Sequence, residues 1–136
     1  MIYVEVSGTR KKYLKLLIKE ACYFYLYKLK VTKRTIPLDI RIVLCDISHE
    51  GLCDFNHDYQ FPEFELSLNR NIDEPKILST LAHEVVHLKQ FLRKEIKNVN
   101  GVYHWKKQVA LNEEWEEEAY HMENILYKEF INEKFK

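Results

Sequence analysis

The stretch LAHEVVHLKQF, residues 81 to 91, constrains this chain more than any other. It places His83 and His87 four residues apart, with Glu84 between them, inside an apolar run. On a helix, residues four apart lie one above the other on one face. Both imidazoles can then direct a nitrogen to a single point about 2 Å from a metal ion, with Glu84 one step round beside a bound water. Leu78, Leu81, Ala82, Val85, Val86 and Leu88 surround the motif, so its histidines should lie against a buried face. Two histidines and a carboxylate beside a core are costly unless they are hydrogen-bonded or bound to a metal. The spacing predicts a helix over about 74–94, started by Asp73 as cap, Glu74 in the first turn and Pro75.

The rest of the chain is read around that helix. Its 136 residues predict one domain, 1–136, able to bury a modest core. Only three glycines and three prolines predict regular structure with short loops. Lys plus Arg equals Asp plus Glu at 21 each, so no global charge favours nucleic acid, and such a partner is not expected. Three cysteines without a C-x-x-C spacing argue against a disulfide scaffold and for a reducing, cytoplasmic setting. The start, MIYVEVSGTRKKY, lacks the pattern of a signal peptide. The most apolar stretch, about 13–27, is interrupted by Lys15, Lys19 and Glu20, so no membrane span is expected.

Alternation predicts strands over 2–6, 40–46 and 61–70, the last entered through Pro62, which suggests an edge or entry position. Helical spacing of Leu14, Leu17, Ile18, Ala21, Tyr25 and Leu26 predicts a helix over about 10–30 with a lysine-rich outer side and Thr9 as its cap. A break is expected at Thr35-Ile36-Pro37, and a loop or loose hairpin over 47–60. Residues 97–101 should end the motif helix, 102–111 suggest a small hairpin, and a last helix should run from about 112 to 130. The class is α+β.

Two histidines need a third protein ligand. Downstream lie His104, His121 and the glutamates of EEWEEEAYHMEN, 113–124. Acid at a helix start is stabilised by the helix dipole, which accounts for Glu113, Glu114 and Glu116 without any chemistry. Glu118 differs. Ala119 follows it, a small residue that lets two helices approach, and Trp115, Met122 and Ile125 would share its face. That places Glu118 on the border of the expected buried stripe.

The combination resembles the gluzincin metallopeptidases, and most of all the short HExxH proteins encoded by phages and prophages. In these, H-E-x-x-H-x-x-Q is followed by an aromatic W-K segment and then P-W-E-x-E-A-Y. This chain has His83, Glu84, His87 and Gln90 in the first pattern. Trp105-Lys106 follows, and then Trp115-Glu116-Glu117-Glu118-Ala119-Tyr120. The likeness covers about 77–123. It departs at Glu114, where the pattern has proline, and by the absence of a glycine after Trp105-Lys106. The resemblance implies a minimal zincin-like fold: an N-terminal helix, a small twisted sheet, the motif helix and a C-terminal ligand helix. It implies Zn²⁺ bound by His83, His87 and Glu118, with Glu117 and then Glu114 as the next candidates. Glu84 would be the general base that hydrolyses a protein or peptide substrate. It also implies an edge strand lining the cleft, for which 64–70 is the candidate.

A rival of another class is a catalytically silent zincin-fold protein that contacts a partner protein or nucleic acid through its basic first helix. Glu84 separates the two, because binding has no need of that carboxylate. Tyr59, Tyr103 and Tyr120 are candidates for stabilising an oxyanion. Cys45, His49, Cys53 and His57 lack the spacing of a known metal ribbon and read as thiols and loop histidines.

Overall fold

A computed structural model describes residues 1–31, 37–56, 58 and 60–136. The expected break at Thr35 and Ile36 lies outside the described residues, as do His57 and Tyr59. The chain folds as β1 (Ile2–Ser7), α1 (Lys12–Lys28), β2 (Leu38–Cys45), β3 (Gly51–Phe55), β4 (Glu63–Asn69), α2 (Glu74–Leu92), β5 (Ile96–Val99), β6 (Val102–Trp105), β7 (Gln108–Val109) and α3 (Glu114–Lys134). It is an α+β protein.

Four strands form one sheet in the order β1-β2-β4-β3. β1, β2 and β4 run parallel, and β3 is antiparallel to β4. Parallel neighbours need a crossover, and α1 supplies the one between β1 and β2. Alternation decides which face is covered. Leu38, Ile40, Ile42 and Leu44 of β2 and Phe64, Leu66 and Leu68 of β4 are buried beneath the helices. Asp39, Arg41, Glu63 and Glu65 point to the open face.

α2 runs through the middle of the molecule, and almost every residue over 77–90 is buried. A helix hydrophobic on all sides belongs in an interior. The sheet packs on one side of it, α1 and α3 on the others. Tyr25 of α1 is fully buried, and its hydroxyl donates to the Leu78 carbonyl of α2 at 3.0 Å. Asp73 caps α2, accepting from the Lys76 N–H at 3.1 Å, with Pro75 in the first turn as expected. Among the described residues, no helix is long and apolar enough to cross a membrane.

Several expectations change. The strand over 63–69 is not an edge: it lies between β2 and β3 with both sides paired. A period of two reveals which face a side chain takes, not whether a neighbour lies on each side. The sheet's edges are β1 and β3, and β3 lies inside the stretch expected to be a loop or loose hairpin; its burial alternates, but Gly51 brings no side chain inward and the outward Leu52 is apolar. Thr9 does not cap α1: the helix begins at Lys12, and its N-cap is Lys11, which makes no side-chain cap. Residues 97–101 do not close the motif helix. It ends at Leu92, and 96–99 pair with β6 across an Asn100-Gly101 turn with φ of 52° and 86°. The expected hairpin over 102–111 is β6–β7, turned through Lys106 and Lys107 at φ of 50° and 72°. This is the mirror-image geometry that suits two-residue hairpins.

Candidate metal centre

α2 does what its spacing requires: His83 and His87 stand on one face with their Nε2 atoms 3.2 Å apart. Glu116 of α3 closes the group. Its Oε1 lies 3.0 Å from His83 Nε2 and 2.5 Å from His87 Nε2. Three corners of a tetrahedron with bonds of about 2.1 Å stand about 3.4 Å apart. The triangle is close to that size, contracted on the His87–Glu116 edge. Among the described residues, this is the group of His, Cys, Asp and Glu that could hold a metal ion.

The hydrogen bonds behind the rings say which nitrogen of each ring carries a proton. His83 Nδ1 is 3.1 Å from Glu123 Oε1, and His87 Nδ1 is 2.8 Å from Gln90 Oε1. Both partners accept, so each Nδ1 carries the proton; this tautomer follows from the network. A neutral ring would then turn an unprotonated Nε2 toward the other ring and toward the Glu116 carboxylate. Three such atoms at this distance need a shared proton or a cation between them, and the group could hold a metal ion. Two imidazoles and one carboxylate form a donor set that could hold a metal ion.

Glu84 lies beside the group and is buried. Burial pushes its carboxyl up to about 7; His83 opposes this, and the carboxylates of Glu116 and Glu123 add to it. The backbone of β3 passes close by. A Cβ on Gly51 would stand 2.7 Å from Thr80 Cγ2 and 3.1 Å from Glu84 Oε2. An open cleft runs over the group, lined by β3, by the small sheet at Ile96, Val102 and Tyr103, and by the start of α3. Tyr120 also lines it, with its ring 4.7 Å from that of His83.

The structure therefore brings together His83, Glu84 and His87 as expected, but with Glu116 rather than Glu118. Glu118 accepts from Lys89 Nζ at 2.7 Å and from Gln90 Nε2 at 3.0 Å, away from the rings. The physical reason lies in the buried stripe of α3. Trp115, Met122 and Ile125 were expected to mark it; instead it runs through Ala119, Glu123, Leu126 and Phe130, one residue further round. That rotation of about 100° brings Glu116 to the histidines and turns Glu118 aside. Hydropathy hid the true stripe because one of its members is the acid Glu123. The spacing of Glu116, Ala119 and Glu123, two acids flanking a small residue on one face, was the available signal.

The other candidates stand apart. Glu117 is exposed, and Glu114 accepts from the Asn112 N–H. His121 is exposed, and the His104 ring lies against the Val102 carbonyl. Among the described residues, Cys45, Cys53 and His49 join no metal-binding group.

The fold and this group thus define an α+β chain able to hold a metal ion between two helices. No family model, curated protein or solved structure matches it.

Proposed function

We propose that this chain is a zincin-like zinc metallopeptidase, with His83, His87 and Glu116 holding the ion and Glu84 as general base. The observation that carries the reading is the position of Glu84. A buried carboxylate beside two imidazoles that share one face, at an open cleft, has a use in hydrolysis and none in simple metal storage. Zinc held there would supply Lewis acidity, lowering the pKa of a water and polarising a carbonyl.

The chain's own residues do the rest. Glu84 takes a proton from the attacking water and delivers it to the leaving amine. β3 pairs with β4 on one side only, and it lines the cleft. An extended peptide can add along its outer side through backbone hydrogen bonds. The substrate class is therefore polypeptide.

The test is a peptide-library cleavage assay on the wild type, stripped with chelator and then restored with zinc, beside Glu84→Gln. We expect cleavage lost on stripping and recovered with zinc. Glu84→Gln should keep its zinc and lose activity by roughly 10²–10⁴-fold. Undiminished cleavage by Glu84→Gln would remove the general-base role. A wild type that holds zinc and cuts no peptide would favour the catalytically silent binding protein instead.

A further inference from the structure

Behind the ion-binding face lies a second buried polar network, which the proposed hydrolysis does not use directly. Gln90 is fully buried between α2 and α3. Its Nε2 donates to the Trp115 carbonyl at 2.9 Å and to Glu118 Oε1 at 3.0 Å. Both of those groups only accept, so they fix which end of the amide is which, and Oε1 is left facing His87 Nδ1 at 2.8 Å. Lys89, also buried, donates to the same Glu118 oxygen at 2.7 Å and pairs with Glu95 at 3.1 Å. The other Glu118 oxygen faces Lys106 Nζ at 3.7 Å.

We propose that Glu118 is a positioning residue: held by Lys89, it fixes the Gln90 amide, and Gln90 fixes His87 with its proton on Nδ1 and a bare Nε2 toward His83 and Glu116. The consequence for metal affinity rests on the metal-centre reading above; the consequence for the tautomer does not. Without the Glu118 acceptor, the Trp115 carbonyl alone orients the amide. Gln90 can then turn its NH₂ toward His87. In that orientation Nδ1 must accept, the proton moves to Nε2, and the nitrogen needed by the ion is blocked. Partners of this kind are worth about 10–100-fold in metal affinity when removed.

Two variants separate positioning from ligation. Glu118→Gln keeps an oxygen that can accept from Gln90 and Lys89. Glu118→Leu does not. In metal-free protein, above the ordinary histidine pKa, ¹⁵N spectra of the ring nitrogens should show His87 protonated at Nδ1 in the wild type and in Glu118→Gln. Glu118→Leu should shift the ring toward the Nε2–H form. Zinc competition against a chromogenic chelator should give wild-type affinity for Glu118→Gln and about 10–100-fold weaker binding for Glu118→Leu. Should Glu118→Leu fail to fold, Gln90→Leu is predicted to move both readouts the same way. Zinc lost from Glu118→Gln as severely as from Glu116→Gln would make Glu118 a ligand and overturn the proposal. An unchanged His87 tautomer in the leucine variants would overturn it as well. A wild type that binds no zinc would sink the metal-centre reading, while the ring spectra would still decide the positioning role.

Discussion

A carboxyl buried as deeply as that of Glu84 destabilises its own protein whenever it is ionised. Its folded value of about 7 stands above the ordinary 4.5, so between those values the native state binds more protons than the unfolded chain. The stability of the metal-free protein should fall as pH rises through that window. Glu84→Gln removes the fall. At pH 8 the metal-free variant should exceed the metal-free wild type by on the order of 3 kcal/mol, with the gap closing toward pH 4.5. Urea unfolding at the two pH values measures it; a gap independent of pH would mean that Glu84 is not held in this environment. His83, Glu84 and His87 were legible from sequence because helix geometry alone fixes how they stand. Glu116 was not, because acids crowd the start of α3 and the helix dipole explains them all equally well.

At the scale of elements, the site depends on how closely β3 approaches α2. Gly51 permits that approach, since a methyl there would press on Thr80 and Glu84. Gly51→Ala should therefore cost about 1–3 kcal/mol in denaturant unfolding. It should also lower peptide cleavage more than zinc binding, because it displaces the base and leaves the ligands in place. Equal stability and activity would show that β3 stands further off. Helices α1 and α2 and strands β1, β2 and β4 were legible because each carries a strong period of 3.6 or 2. β3 and β5 were not. Gly51 brings no side chain to the inward side of β3 and Leu52 is apolar on its outward side, while β5 leaves Lys97, Asn98 and Val99 exposed, so neither shows a clear period of two, although each pairs with the next strand along the chain. The α3 helix was found, but its inward face was misread by one residue, and that single rotation changed the expected ligand.

For the whole molecule, an ion held by this group would tie α2 to α3, since two of its residues stand on one helix and the third on the other. Metal binding should therefore appear as folding stability. At a free zinc concentration about 100 times Kd, unfolding should become costlier by about 2.7 kcal/mol, and Glu116→Gln should lose most of that gain. Calorimetry with and without zinc would show it. The α+β class and the order of the main elements were written in the chain's periodicities. Which helix face meets which was not, because that depends on the packing of α3 against α2.

Anomalous diffraction at the zinc edge, on zinc-soaked crystals of the wild type, tests the central claim most directly. The account predicts one peak, about 2.0–2.2 Å from His83 Nε2, His87 Nε2 and a Glu116 oxygen, with Glu118 still turned to Gln90. A peak ligated by Glu118, or none between the two histidines, would contradict it.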